Sequence, residues 1–402
     1  MESLEKSFQA ACEAGDIPGA VLAAANLDGT LNYAQAFGYR SLEGEPKPPC
    51  EANTVMGLFS ATKLVTTVAA LQLVEKGVIQ LDDDTADVLP ELSALPILAS
   101  MSGGKAELQT RRNPITLRHL LTHSSGLAYA FNSLTLREYQ ESVGKPPMAP
   151  PRTVVHSYST PLLFEPGTSW AYSTGLDWVG LLISRLSKVP LEEYFQKNIL
   201  VRLDIKDITF WPARYPELNN RLASLSIRDQ KDDGLGKAVA YKGPSMMSAI
   251  QEEFGGQGLY ASMPSYLKIL KSLLVDDEQL LGKKTTALMF EPQLTSQSRE
   301  ALQAVYRGQP STGPCSIGHF PPETQYDWGL GGLLTMEDGD WRKKGCLNWS
   351  GMPNLLWFLD RAAGLCGIYG GQLMPAGDVK AKEMITLFEK TIYGQVDKRS
   401  SL

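Results

Sequence analysis

Four residues, Ser60-Ala61-Thr62-Lys63, put a hydroxyl and an amine three positions apart. On a helix such side chains are neighbours, so the two groups can touch. An amine whose pKa is lowered by burial or by a nearby charge can take the hydroxyl's proton and leave a nucleophile. The spacing alone says little, because four other Ser-x-x-Lys matches start at Ser3, Ser102, Ser142 and Ser265. Setting separates Ser60 from them. Leu64 to Val74 carries no charge and is almost wholly apolar or threonine, and Gly77 supplies a stop. A helix apolar on most sides is a buried one. Lys63 therefore enters a dry helix at the end where the helix dipole disfavours a cation. Two readings stand here: a lysine snorkelling at a helix start, or an amine held for catalysis.

A reactive serine needs a base, an orienting partner and an oxyanion hole. The chain has four histidines, His119, His123, His156 and His319, and no Gly-x-Ser-x-Gly elbow. The common α/β-hydrolase arrangement is therefore not expected. His119 and His123 are four apart, but no glutamate follows the first. The zincin pattern fails, and both histidines are expected to make structural hydrogen bonds rather than hold a metal. Tyr172 is the better base candidate. It follows the Glu165-Pro166-Gly167 turn and is flanked by Ser169, Ser173 and Thr174. Taken alone, it reads as well as a packed aromatic. A third element is Asn348-Trp349-Ser350-Gly351-Met352-Pro353-Asn354, at the end of a predicted strand. Gly351 lets backbone approach closely, and a backbone N–H there could help hold an oxyanion. An ordinary strand-end turn has the same pattern.

These groups need elements to position them. Leu4 to Glu13 reads as an amphipathic helix. Val21 to Ala25 and Leu31 to Phe37 read as strands joined at Asp28-Gly29, a hairpin signal. The Ser60 helix follows a proline-rich loop. Leu117 to Thr122, Trp178 to Ser187 and Leu191 to Asn198 read as helices between long connections. Trp328 to Met336, Trp341 to Trp349, Leu355 to Leu359 and Leu365 to Tyr369 read as consecutive strands. A last helix carries Ala381, Met384, Ile385, Phe388 and Ile392 on one stripe. Strands thus cluster at both ends. The expected fold is α/β (α+β), with an antiparallel sheet built from both termini and flanked by helices. Residues 1–85 with 325–402 would form the sheet domain, and 86–324 a mostly helical inserted region.

The 402 residues carry a formal charge of −6, with 43% hydrophobic and 20% charged residues. That composition is ordinary for a globular protein. No basic patch with interleaved aromatics is present, so nucleic acid is not an expected partner. No window approaches a membrane span, and the N-terminus lacks the pattern of a secretory signal. Five scattered cysteines without a Cys-x-x-Cys suggest reduced thiols and a cytoplasmic setting. No cofactor is expected. The loops holding Trp170, Trp178, Phe254, Tyr260 and Tyr326 could line an apolar pocket, although each aromatic reads as well as core.

Taken in order and spacing, the three elements resemble the serine β-lactamase-like superfamily, most closely its class C branch with the family VIII esterases. Ser60-Ala61-Thr62-Lys63 is similar to its nucleophile motif. Tyr172-Ser173-Thr174 is similar to its Tyr-x-Asn element, and Trp349-Ser350-Gly351 to its Lys-Thr-Gly or Trp-Gly-Gly strand. Ile17-Pro18-Gly19, Leu117 through Leu127, Glu165-Pro166-Gly167 and Gly255-Gly256-Gln257-Gly258-Leu259 agree. Within the superfamily, nearly the whole chain resembles the fungal polyketide side-chain acyltransferases of lovastatin type.

The resemblance implies Ser60 as nucleophile, Lys63 as its activating partner and Tyr172 as general base and acid. It implies an oxyanion hole from the backbone N–H groups of Ser60 and Met352, with Trp349, Ser350 and Gly351 along the substrate. It also implies acyl transfer from a thioester, carried by an acyl carrier protein or a CoA-type donor, to the hydroxyl of a polyketide-like small molecule. A Lys63 ammonium beside Tyr172 would favour its tyrosinate. An esterase using water, or an idle polyketide-binding protein, are the alternatives. Thr174 and Trp349 depart from the β-lactamase asparagine and lysine, which speaks against β-lactam hydrolysis. Met374-Pro375-Ala376-Gly377 lacks a tryptophan found in the lovastatin-type enzyme, so its substrate pocket is not expected to be shared.

Overall fold

The computed structural model describes residues 1–145, 150–229, 236–244, 249–308 and 313–397. A seven-stranded antiparallel sheet organises the chain. Its strands are β1 (Gly19–Asn26), β2 (Asn32–Gly38), β3 (Tyr326–Trp328), β4 (Leu333–Thr335), β5 (Leu347–Gly351), β6 (Leu355–Asp360) and β7 (Leu365–Gly370). Their order is β3-β4-β5-β6-β7-β1-β2. The sheet is built from both termini, as expected, because β1 pairs with β7 in register Val21↔Gly370 to Asn26↔Leu365.

Among the helices that bear on the site or on the sheet that carries it are α1 (Glu2–Ala14), α2 (Thr62–Glu75), α3 (Gly175–Ser187), α4 (Met263–Val275) and α5 (Val379–Asp397). Strand side chains alternate between faces, and both faces here are covered. Along β1, Ala20, Leu22 and Ala24 join a core with Leu4 and Phe8 of α1 and Ile385 and Phe388 of α5. Val21, Ala23 and Ala25 join the other core, with Leu64 and Val68 of α2 and Leu270 of α4. The same split divides Leu356 and Phe358 from Leu355, Trp357 and Leu359 on β6. Strands buried on both faces show no polar alternation, which is why β1, β6 and β7 read as apolar runs.

Two expected strands shift. Trp328 to Met336 is two short strands, with Gly329 N–H donating to the Gly332 carbonyl and Gly331 at φ +115° between them. Only glycine takes that conformation freely. The strand expected from Trp341 begins at Leu347, because Gly345 turns the chain at φ +87°. α4 lies inside the stretch expected as an insertion, yet it packs on β1 and β7. One core joins Val21 and Trp357 from the ends of the chain to Leu182 and Leu270 from its middle. Among the described residues, no helix is long and apolar enough to cross a membrane.

Candidate active site

The Ser60 turn is held from several sides. Ser60 lies in a single turn, Phe59–Ala61, that feeds α2. Phe59 sits at φ +46°, a left-handed conformation that costs a bulky residue energy. Neighbours over-determine it. Leu58 N–H donates to the Leu259 carbonyl at 2.8 Å, Leu259 N–H to Thr62 Oγ1 at 3.1 Å, and the Tyr266 hydroxyl to the Ala61 carbonyl at 2.8 Å. The end of β5 passes the same turn. A Cβ on Gly351 would overlap the Leu58 carbonyl oxygen, so only glycine lets the strand come this close. Met352 follows directly and is half-buried.

α2 is buried from Thr62 to Leu73, and Lys63 is only 2% exposed. Its ammonium group has a defined ring of acceptors. Nζ lies 2.7 Å from the Gly256 carbonyl, 3.1 Å from the Tyr129 hydroxyl and 3.4 Å from Ser60 Oγ. Burial lowers the Lys63 pKa to about 8, against an opposing pull from Asp177. Asp177 lies in the first turn of α3, fully buried. Its Oδ2 accepts from the Tyr129 hydroxyl at 3.2 Å and its Oδ1 from Gly256 N–H at 2.8 Å. Burial raises its pKa to about 6, with Lys63 pulling the other way. Glycines admit the loop that brings Gly256 here. A Cβ on Gly255 would meet the Leu176 carbonyl at 2.5 Å, and one on Gly256 would meet the Asp177 carboxylate. Thr66 Oγ1 anchors the loop by donating to the Gly255 carbonyl at 2.6 Å.

Tyr172 closes the site. Its ring centroid is 4.9 Å from Lys63 Nζ. The Trp349 indole N–H donates to its hydroxyl at 3.1 Å, and Ser60 is a second hydrogen-bonding neighbour. Burial nevertheless holds this hydroxyl well above the usual phenol range. The expected support of a tyrosinate by Lys63 is therefore outweighed, and the resting group is a neutral phenol. Lys63 Nζ stands beside the serine hydroxyl, 3.4 Å from Ser60 Oγ.

His123 shapes the segment rather than competing for this role. Its Nδ1 accepts from Ser173 N–H at 3.2 Å and lies 2.9 Å from Ser173 Oγ. Burial and Lys63 hold it well below its usual pKa, so it is neutral, with its proton assigned to Nε2. His119 caps the helix that starts at Leu117.

The other expected site residues separate. Trp349 and Ser350 line β5 beside the site, with Trp349 bonded to Tyr172. Trp170 stands one layer back, 6.1 Å from the His123 ring and 5.6 Å from Trp328. Phe254 is wholly buried against Tyr158, ring centroids 5.6 Å apart. Tyr326 packs on Tyr306 at 4.8 Å and donates to the Pro321 carbonyl. Phe254 and Tyr326 are thus core residues here rather than exposed pocket walls. Sequence reasoning missed Tyr129 and Asp177 as site residues. The signal for Asp177 was present: a lone acid within the apolar run of α3, five residues after Tyr172. Tyr129 offered none, because its partners come from three distant segments.

A sheet built from both termini, with a Ser-x-x-Lys helix and a tyrosine brought against it, defines the class. The chain belongs to the Beta-lactamase family, whose model matches residues 3–383. Within that class it is similar to monacolin J acid methylbutanoyltransferase of Aspergillus terreus, 38% identical over 400 residues, 98% of this chain and 95% of that relative. It is likewise similar to lovastatin esterase of Penicillium rubens, 38% identical over 394 residues, 97% of this chain and 98% of that relative. Its fold matches unliganded simvastatin synthase from Aspergillus terreus with a TM-score of 0.89 at 36% identity, covering 98% of each chain.

Proposed function

We propose that the protein is a serine-dependent acyltransferase that carries an acyl group on Ser60 from a thioester to a small-molecule hydroxyl. One observation carries the reading: Lys63 Nζ, buried and with its pKa lowered to about 8, faces Ser60 Oγ while its other contacts are fixed. In the first half-reaction the neutral Lys63 amine takes the Ser60 proton, and Oγ adds to the thioester carbonyl. Backbone N–H groups of Ser60 and Met352 would hold the oxyanion, worth about 3–4 kcal/mol per donor in comparable sites. The tetrahedral adduct collapses, the C–S bond breaks, and the thiolate receives a proton relayed from Lys63 through Tyr172.

An acceptor hydroxyl then attacks the acyl-serine. Its proton passes through Tyr172 and Lys63 to Ser60 Oγ as the ester leaves. Tyr172 thus moves protons without resting as tyrosinate, and the Trp349 N–H keeps its hydroxyl aligned. The donor would be an acyl carrier protein or a CoA-type thioester, and the acceptor a polyketide-like alcohol of secondary metabolism. Similarity to a relative named as a methylbutanoyltransferase supports transfer of an acyl group. A cytoplasmic setting accords with five free cysteines.

Ester hydrolysis by the same residues is the second reading, favoured by the equal identity to a lovastatin esterase. Intact-mass analysis after incubation with a short acyl thioester separates the two. An acyl adduct on wild type and none on Ser60→Ala is expected, followed by transfer of the group to an added alcohol. No adduct, or an equal one on Ser60→Ala, overturns the covalent mechanism. Release to water alone, across a panel of alcohols, makes the protein an esterase.

A further inference from the structure

Lys63 and Asp177 are joined by a bridge that the reaction above does not use. Hydrogen counting shows what the bridge does. The Gly256 carbonyl can only accept, so it takes one Lys63 proton. The Tyr129 hydroxyl spends its own proton on Asp177 Oδ2, so toward Lys63 it too can only accept. A neutral amine has two protons and one lone pair. With both protons committed, the lone pair is left for Ser60 Oγ, the third neighbour at 3.4 Å. We propose that Asp177, acting through Tyr129, is the orienting end of a Ser60–Lys63–Tyr129–Asp177 relay that aims the Lys63 lone pair at Ser60 and stabilises the ammonium formed there.

This inference rests on Ser60 being the nucleophile. Asp177 is a positioning residue, since it reaches the reacting atoms only through Tyr129 and Lys63. Its place parallels that of a buried acid behind a catalytic histidine, which fixes the base's orientation and supports the cation that forms. The proton moves from Ser60 Oγ to Lys63 Nζ, and the Asp177 carboxylate stays ionised throughout. Attraction between the carboxylate and the new ammonium is strong because the site is dry. The Gly256 peptide ties the two ends, giving its N–H to Asp177 and its carbonyl to Lys63.

The ionisable groups facing the pair are Tyr129, Tyr158 from the helix Val154–Tyr158, Tyr172, His123 and, behind Tyr172, Cys315. Burial holds the tyrosines and the Cys315 thiol above their usual ranges and His123 below its own. All stay neutral near neutrality, so Lys63 and Asp177 dominate titration of the site.

The test reads Ser60 acylation directly, as the single-turnover burst of p-nitrophenol from p-nitrophenyl acetate, followed against pH. In wild type the burst rate rises with pH as Lys63 loses its proton. Asp177→Asn keeps an acceptor for Tyr129 but removes the charge. Its burst rate at the plateau should fall roughly tenfold or more, and the midpoint of the rising limb should move down by about one pH unit. Tyr129→Phe keeps the charge and cuts the bridge; it should lower the plateau and move the midpoint less. A folded Asp177→Asn whose midpoint stays in place overturns the relay, whatever its plateau, because a merely structural acid would lower rate without moving it. Should that variant fail to fold, an unchanged plateau in Tyr129→Phe overturns it instead. Absence of a burst in wild type, or its persistence in Ser60→Ala, removes the acyl-serine reading and the relay with it. The other outcomes bear on the relay alone.

Discussion

Two titrating side chains govern the behaviour of the site. Lys63 has a folded pKa of about 8 against an ordinary value of 10.5, and burial is the cause. The acylation rate should therefore climb as pH rises toward and past 8, where the free amine accumulates. The same shifts set stability. The unfolded chain binds more protons at Lys63 between pH 8 and 10.5, so stability gains from Lys63 as pH rises through that window. Asp177 has the opposite sign: its pKa rises from 3.8 to about 6, so its ionisation costs stability as pH rises through that window. Both buried charges thus burden the fold near neutrality, and their mutual attraction offsets part of that burden. Removing one strands the other, whereas replacing both relieves the desolvation. We predict that Lys63→Met with Asp177→Asn melts above either single variant while showing no acylation. A double variant less stable than both singles would contradict it. Tyr172→Phe keeps the ring and loses the proton carrier. It should retain substrate binding and lose about 10²–10⁴-fold in turnover, measured as kcat at unchanged KM. At this scale the sequence was most legible for Ser60 and Lys63, marked by their apolar setting, whereas Tyr172 was singled out by the family resemblance. Tyr129 was illegible, because its role exists only through Asp177, 48 residues away.

Elements matter here through how closely they approach. The loop 254–258 lies between α2 and α3, and Gly255 permits it: a Cβ there would meet the Leu176 carbonyl at 2.5 Å and Gly180 Cα at 3.0 Å. Both are backbone atoms of α3, which cannot yield cheaply, and Thr66 Cγ2 of α2 would stand 3.0 Å away as well. Gly255→Ala should cost about 1–3 kcal/mol by chemical denaturation. It should also slow acylation by shifting the Gly256 carbonyl that holds Lys63; full stability in this variant would refute the packing account. The glycine run 255–256 was visible in the chain, but not what it approaches. Periodicity identified α2 and the apolar strands well, because burial on both faces leaves long apolar runs. It placed the start of β5 poorly, because the apolar Trp341 and the polar pair Lys343-Lys344 say nothing about where Gly345 turns the chain.

Across the whole molecule, buried ion pairs fasten the C-terminal helix to the rest. Arg342, 6% exposed, donates from Nε and Nη2 to both oxygens of Glu389 at 2.9 and 2.7 Å. Arg228 does the same with Asp378, at 2.8 and 2.7 Å, just before α5. Breaking a buried pair leaves an uncompensated charge, so Arg342→Leu should cost about 3–5 kcal/mol. Burial already raises the Glu389 pKa, so part of this loss should return on acidification, as the stranded carboxyl takes up a proton. Thermal melts across pH check both statements; an unshifted melting temperature would exclude them. The chain by itself marked out Ser60 and Lys63 through their apolar helix, Tyr172 through the family resemblance, and a sheet shared by both ends through apolar runs written along the sequence. Only the tertiary structure decided that Tyr172 rests as a phenol, that Phe254 and Tyr326 lie in the core, and that Lys63 answers to Asp177. Those facts depend on burial and on contacts between segments far apart in the chain, and neither quantity exists until the chain has folded.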